Sequence, residues 1–187
     1  MGNNNTIVHN EENQKSDKII NKEEEVSKEK IEEHESRLSL KNILLESNLS
    51  EISKKNITLQ FGGEYKGDWN DQRKRHGFGQ FTKNNEFYYA GQWVDDIPKG
   101  FGKIVFIGKF EFNGFFDNGK PNGYGEYIGD GYEYKGEWVN GIREGIGEEF
   151  FEDINFQGQF KNNVKEGFGY IKFSDGCYYE VILLGNI

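Results

Sequence analysis

The sequence predicts an all-β repeat array: an elongated, twisted, single-layer antiparallel sheet of stacked β-hairpins, preceded by a disordered or helical N-terminal tail. Three observations predict it. An aromatic-x-Gly-x-aromatic pattern followed by Gly-x-Gly starts at Tyr65, Tyr89, Phe112, Tyr134 and Phe156, at steps of 24, 23, 22 and 22 residues, with a degenerate sixth start at Tyr179. A period of that length marks stacked supersecondary units. The composition breaks near residue 56: no Phe, Tyr or Trp precedes it, although the chain holds 16 Phe, 10 Tyr and 3 Trp. Within each unit, apolar marks two residues apart lead into a pair of residues that tolerate positive φ, and together these spell a hairpin.

Residues 1–37 read as an acidic, mostly disordered tail, because a segment without aromatics cannot bury enough apolar surface to offset its chain entropy. The tail opens Met1-Gly2-Asn3-Asn4-Asn5-Thr6, which fits N-myristoylation of Gly2 after removal of Met1. A single myristoyl chain attaches only reversibly, with an association constant on the order of 10⁴ M⁻¹. No cysteine lies near Gly2 and the tail is net acidic, so any second membrane signal must come from the array or its partner. Lys and Glu dominate residues 15–37, with Glu24–Lys28, Lys28–Glu32 and Glu33–Arg37 at helical spacing, which suits a solvated helix or disorder. Residues 38–56 differ. Leu38, Leu45, Leu49 and Ile52 fall on one side of an amphipathic helix, with Ile43 and Leu44 nearby. Such a helix would lie on the chain's own sheet or bind a partner.

The array itself occupies residues 57–187. Residues 57–64 resemble the second half of a unit and form a partial cap, and residues 179–187 form another, with Val181 where Gly is expected. The second unit sets a numbering: Tyr89 is position 0, Gly91 +2, Trp93 +4, Gly100 +11 and Gly102 +13. Positions +6 and +7 read Asp95-Asp96, Asn118-Gly119, Asn140-Gly141 and Asn162-Asn163, the residue types of a two-residue type I′ turn. Such a turn pairs +2 with +11 and 0 with +13, so Gly91 is expected to face Gly100 and Tyr89 to face Gly102. A Gly opposite an aromatic leaves room for the ring to lie over bare backbone. In the first unit Gly77-Phe78-Gly79 comes one residue late, which predicts a longer turn or a bulge there.

Alternation along the strands defines two faces. The aromatic face carries Tyr65, Trp69, Tyr89, Trp93, Phe112, Phe116, Tyr134, Trp138, Phe156 and Phe160, the first candidate surface for a protein partner. Position +12, on the opposite face, reads Phe78, Phe101, Tyr124, Ile146 and Phe168, the alternative candidate surface. A second apolar row in a single-layer sheet is either covered by twist or by the tail, or it is a partner site. Position −2 reads Phe87, Phe110, Tyr132, Ile154 and Cys177, which predicts a buried, inert thiol.

The net charge of −9 excludes general nucleic-acid binding, which needs a concentrated basic face. The local exception, Arg73-Lys74-Arg75-His76, reads as a solvated turn tip. One cysteine excludes an internal disulfide framework and suits a reducing compartment. With three His, two of them in the tail, and no catalytic or metal-ligand grouping, neither an enzyme nor a cofactor is expected. The Gly-x-Gly pairs lack the following helix and the Lys-Ser/Thr or third Gly that a phosphate loop requires.

The units Tyr65-Lys-Gly-Asp-Trp69, Tyr89-Ala-Gly-Gln-Trp93 and Tyr134-Lys-Gly-Glu-Trp138-Val-Asn-Gly141 closely resemble the MORN repeat (membrane occupation and recognition nexus), Tyr-x-Gly-x-Trp-x-x-Gly followed by Gly-x-Gly. The resemblance covers about residues 57–185. Phe replaces Tyr and Trp in the third and fifth units, and the +7 Gly is missing in units one, two and five. The resemblance implies a scaffolding or docking role beside membranes, cytoskeleton, cilia or enzymes that such proteins position. The expectation is therefore a non-catalytic adaptor, cytoplasmic and peripheral to a membrane. It holds a partner helix or strand on its array, is tethered through Gly2, and has scope for self-association. Direct binding of phospholipid headgroups, and service as the targeting subunit of a separate enzyme, are the alternatives.

Overall fold

The computed structural model describes residues 25, 28–48, 57–58, 62–84, 86–129 and 131–185. Gly2, Leu49 and Ile52 lie outside them. Helix α1 spans 28–48. The strands follow in chain order: β1 (Ile57–Thr58), β2 (Glu64–Trp69), β3 (Arg75–Lys83), β4 (Phe87–Val94), β5 (Ile97–Phe106), β6 (Phe110–Asp117), β7 (Lys120–Gly129), β8 (Tyr132–Val139), β9 (Ile142–Phe151), β10 (Ile154–Lys161), β11 (Val164–Phe173) and β12 (Tyr178–Leu183). Each strand pairs with its sequence neighbours, giving one open twelve-stranded antiparallel meander whose first strand is two residues long. At the usual strand spacing it extends for about 50 Å.

The turns have the chemistry their residues announce. Asp95 and Asp96 adopt φ of 50° and 73°, Asn118 and Gly119 48° and 74°, Asn140 and Gly141 53° and 84°, and Asn162 and Asn163 51° and 68°. Positive φ at both central positions matches the right-handed twist of the flanking strands. The first unit turns instead through residues 70–74, with Trp69 paired to Arg75. Its loop is organised by the Asn70 carboxamide oxygen, which accepts the backbone N–H groups of Gln72 and Lys74, both at 3.0 Å.

The register inside each hairpin differs from the simple expectation. Gly91 faces Gly102 rather than Gly100, and Tyr89 faces Ile104, because a bulge intervenes between Gly91 and Trp93. Gly100 sits in that bulge at φ +93°, and Gly123, Gly145 and Gly167 hold the same slot at +109°, +74° and +80°. The +11 glycine thus serves the backbone conformation of a bulge, not a cross-strand fit. The extra residues shift the pairing by two, which preserves the faces while moving glycine against glycine.

The strands between units pair without bulges, Gly79 to Gly91, Gly102 to Gly114, Gly125 to Gly136 and Gly147 to Gly158. A band of ten glycines therefore runs straight across the sheet from Gly67 to Gly169, ending against Val181. Over it lie the position 0 rings. A Cβ on Gly91 would meet the Gly102 Cα and the Tyr89 hydroxyl at 2.6 Å, and one on Gly102 would meet that hydroxyl at 2.5 Å. The ring reaches across its own strand, and its hydroxyl donates to the carbonyl three residues on: Tyr65 to Asp68 at 3.0 Å, Tyr89 to Gln92 at 3.0 Å and Tyr134 to Glu137 at 3.2 Å.

The +4 rings stand perpendicular to these. Tyr89 meets Trp93 at 4.9 Å and 83° and Phe116 at 5.4 Å and 87°, and Tyr134 meets Trp138 and Phe160 in the same way. Ten rings from Trp69 to Phe156 form one continuous edge-to-face ladder. Each such contact contributes about 0.5–1.5 kcal/mol beyond area burial. Trp93 Nε1 donates to Gly79 O at 3.1 Å and Trp138 Nε1 to Gly125 O at 3.2 Å, stitching each unit to the strand before it.

The helix starts earlier than residue 38. Residues 28–37, expected as a solvated helix or disorder, continue the helix of Leu38 and Leu45, and Ile31 is as buried as they are. The sheet supplies the partner that the weak apolar stripe lacks by itself. Cys177 also departs from expectation. It is exposed, because it lies in the turn before β12, its N–H bound to Asp175 Oδ1 at 2.8 Å, rather than in the row of strand residues.

Gly91→Ala is expected to destabilise by about 1–3 kcal/mol in urea unfolding, since the added carbon meets backbone that cannot move. Tyr89→Phe should cost about 1 kcal/mol, because Phe112 and Phe156 fill the same slot without a hydroxyl, whereas Tyr89→Ala should cost about 3–5 kcal/mol. Burial pushes the hydroxyls of Tyr65, Tyr89 and Tyr134 above the ordinary phenol range. Their contribution is complete below the unfolded value of about 10 and is lost as pH rises above it, so Tm should fall beyond that point and less steeply in Tyr89→Phe.

Candidate functional site

The two sheet faces have different fates. On the first face, nine of the ten candidate residues from Tyr65 to Phe160 are buried, and Trp69 is half-buried. They come together as predicted from their spacing, but the surface of each ring is occupied by its neighbours in the ladder. Cations close what remains. The Arg75 guanidinium lies 4.2 Å from the Trp93 ring centroid and pairs with Asp96 at 2.9 Å. Arg143 sits over Tyr134 and Phe160 and pairs with Glu149 at 2.7 Å, and the Lys165 ammonium lies 4.9 Å from the Phe156 centroid. Cations over aromatic faces at this range are attracted by the ring quadrupole.

The basic run at 73–76 is therefore partly engaged. Arg75 holds Asp96 through its Nε and through its backbone N–H at 3.0 Å, and His76 Nδ1 lies 3.3 Å from Asp95 Oδ1. Burial raises the Asp96 pKa, but these hydrogen bonds and the Arg75 charge outweigh it and leave the carboxyl below its ordinary range. Asp95 and Asp96, which form the neighbouring turn, thus neutralise part of the local positive charge.

On the second face, Phe101 and Tyr124 are buried, while Phe78, Ile146 and Phe168 are half-buried. The cover is α1: Leu38 and Leu45 form one cluster with Phe101 and Tyr124, against which Phe78 and Phe115 pack. His34 stands edge-on to Tyr124 at 4.6 Å, and burial followed by the Glu35 charge raises the Tyr124 hydroxyl pKa. Buried helix positions Ile31, Leu38 and Leu45 recur every seven residues, about 10.5 Å of helix. One hairpin occupies two strand spacings, about 9.6 Å. A helix crossing the strands at a modest tilt therefore meets the +12 row in step.

One set of functional side chains escaped sequence reasoning. Position +3 accepts the N–H of the +12 residue just beyond the bulge: Asp68 Oδ2 from Phe78 at 3.0 Å, Gln92 Oε1 from Phe101 at 2.8 Å, and Glu137 Oε2 from Ile146 at 3.3 Å. The signal for them is the recurrence of an oxygen-bearing side chain at +3, Asp68, Gln92 and Glu137. Phe115 takes this place in the third unit and packs on Phe101 at 5.5 Å instead.

Beside α1, toward the hairpin tips, runs a groove of about 490 Å³ with Phe115 and Tyr124 in its floor and His34, Arg37 and Val139 at its walls. Among the described residues no three His, Cys, Asp or Glu side chains converge as a metal site, and no helix is long and apolar enough to cross a membrane.

A search of curated proteins finds no match to the chain. The family model of the MORN repeat matches residues 74–86, 89–107, 112–131, 134–153 and 156–178. Four of the matched segments begin on the position 0 rings Tyr89, Phe112, Tyr134 and Phe156, and together the five span more than half of the sequence. With its hairpin units, glycine band and aromatic ladder, the chain belongs to the MORN repeat family.

Proposed function

We propose that the protein is a non-catalytic scaffold that docks a protein partner on the second face of its array and is tethered reversibly to a membrane by myristate on Gly2. The observation that carries the docking reading is α1 itself. A heptad-spaced helix already sits across the array's second face, and its spacing suits the hairpin repeat. An array that seats one helix has the geometry to seat another. The first face supports this assignment by exclusion, since its rings are closed over by one another and by Arg75, Arg143 and Lys165.

The tether rests on Met1-Gly2-Asn3-Asn4-Asn5-Thr6. One acyl chain gives only marginal attachment, so the docked partner would supply the remaining affinity, at a membrane–cytoskeleton or ciliary structure as the family resemblance implies. The same device would serve as the targeting subunit of a separate enzyme. Direct headgroup binding is the weaker reading, because Asp95 and Asp96 hold His76 and Arg75 of the basic run.

Two comparisons in the native cell test the proposal. Gly2→Ala should move the tagged protein from the membrane to the soluble fraction, and equal partition of both forms would remove the tether. Proximity labelling by the full chain should recover neighbours that a fusion carrying only residues 1–56 does not. Identical neighbour sets from the two would sink the docking reading.

A further inference from the structure

The groove beside α1 carries a charge pattern that the chain as a whole does not. At about 100° per residue, Lys30, His34, Arg37 and Lys41 fall on one flank of α1 together with Leu44 and with Glu33, which pairs with Arg37 at 3.0 Å, while Glu32, Glu35 and Glu46 fall on the other with Lys28. His34 and Arg37 line the groove with Val139, so the basic flank faces the hairpin tips. The other flank faces away from the tips: Lys28, at the same helical angle as Glu46, lines a separate pocket with Glu148, Asn155 and Tyr170. The helix wall is net basic through Lys30, Arg37 and Lys41, a local departure in a chain of net charge −9, while the carboxylate on the sheet side of the groove, Glu137, is engaged by the Ile146 N–H at 3.3 Å.

The row of hairpin tips along which the groove opens is apolar in alternate units, with Val139 the member that lines the groove itself. Strand alternation puts Val94 with Ile97, and Val139 with Ile142, on the second face as cross-strand pairs beside the turns. All four are exposed, as is Leu44 on the helix wall. Between the two pairs lies Asp117, bonded to Lys99 at 3.2 Å. Four strand spacings separate the pairs, about 19 Å, which is about 13 residues of helix. A second helix laid beside α1 would meet both pairs along a single face.

We propose that this groove docks an acidic amphipathic α-helix of a partner protein, its apolar stripe on Tyr124, Phe115 and the tip pairs and its carboxylates toward Lys30, Arg37 and Lys41. The inference rests on the docking reading above and gives it a site and a partner class. Continuity with the α1 interface supports a helix as occupant: the groove shares Phe115 and Tyr124 with it, and the hairpin repeat that suits α1 continues along the tips. Charge complementarity supports an acidic one.

The test uses the full chain and a fluorescent synthetic helix of about 18 residues, with leucines at heptad spacing and glutamates elsewhere, against its twin with lysines for glutamates. Anisotropy titration should show micromolar binding of the acidic helix, weakened by salt, and at least tenfold weaker binding of the lysine twin. Arg37→Glu combined with Lys41→Glu should weaken the acidic helix at least tenfold, as should Val139→Ser. Leu40→Ser, on the outer side of α1, should not. Circular dichroism of each variant confirms that the fold is kept.

Equal affinity for both peptides, or indifference to the charge reversal, would overturn the proposal. So would displacement of the acidic helix by phosphatidylserine vesicles, which would make the groove a membrane surface. A change of sedimenting mass on charge reversal would likewise reassign it to a second copy of the chain. If the charge-reversed protein still recovers the array-dependent neighbours of wild type, the groove assignment fails while the docking reading stands. If wild type recovers none, it is the docking reading that fails.

Discussion

A ring that lies flat on its own backbone needs two facing glycines beneath it, and the rest of this structure depends on that contact. Tyr89 crosses Gly91 and Gly102 at distances that leave no room for a Cβ. The same requirement recurs in every unit and runs the glycine band across the whole sheet. Bringing the second glycine opposite the first requires the hairpin pairing to slip by two residues. The bulge at Gly100 supplies that slip, and the side chain of Gln92 satisfies the N–H that the bulge leaves at Phe101. Turn, bulge, acceptor and ring are therefore one coupled solution rather than four separate features.

A second consequence is the difference between the faces. Rings lying across glycine turn the first face into a closed layer, with edge-to-face contacts passing from unit to unit. The second face receives the residues between the glycines and cannot cover itself, because +12 offers one large side chain per hairpin. Helix α1 resolves this by a coincidence of lengths: two helical turns nearly match two strand spacings. Its hold is narrow, since one helix covers one row. The groove toward the hairpin tips is what that narrowness leaves open.

Much of this was legible in the residues. Asn118-Gly119 and Asn140-Gly141 announce their turns, because few other pairs accept positive φ twice. Tyr89, Gly91 and Trp93 share a face because strand alternation is strict. Leu38 and Leu45 mark the buried side of the helix. What escaped had a common cause in contacts between units. Gly100 and Gly102 are the same residue type, yet one bends the chain and the other makes space, and only the pairing distinguishes them. Cys177 fits an apolar row by counting, but the chain is still turning when it reaches that position. Ile31 has too few apolar neighbours in sequence to predict a buried helix, and gains its partner from the sheet.

By itself, then, the sequence determined the unit, its turns, its two faces and the family, because those depend on local φ preferences and on periodicity. Tertiary structure alone decided which glycine faces which, how far α1 extends toward the N-terminus, and which apolar row it covers. Those outcomes depend on surfaces brought together from distant segments, where packing selects among pairings that local preference leaves equal. The opposed charge flanks of α1 show the division. Their residues can be read along the helix, but which flank meets the groove was set only when Leu38 and Leu45 settled on Phe101 and Tyr124.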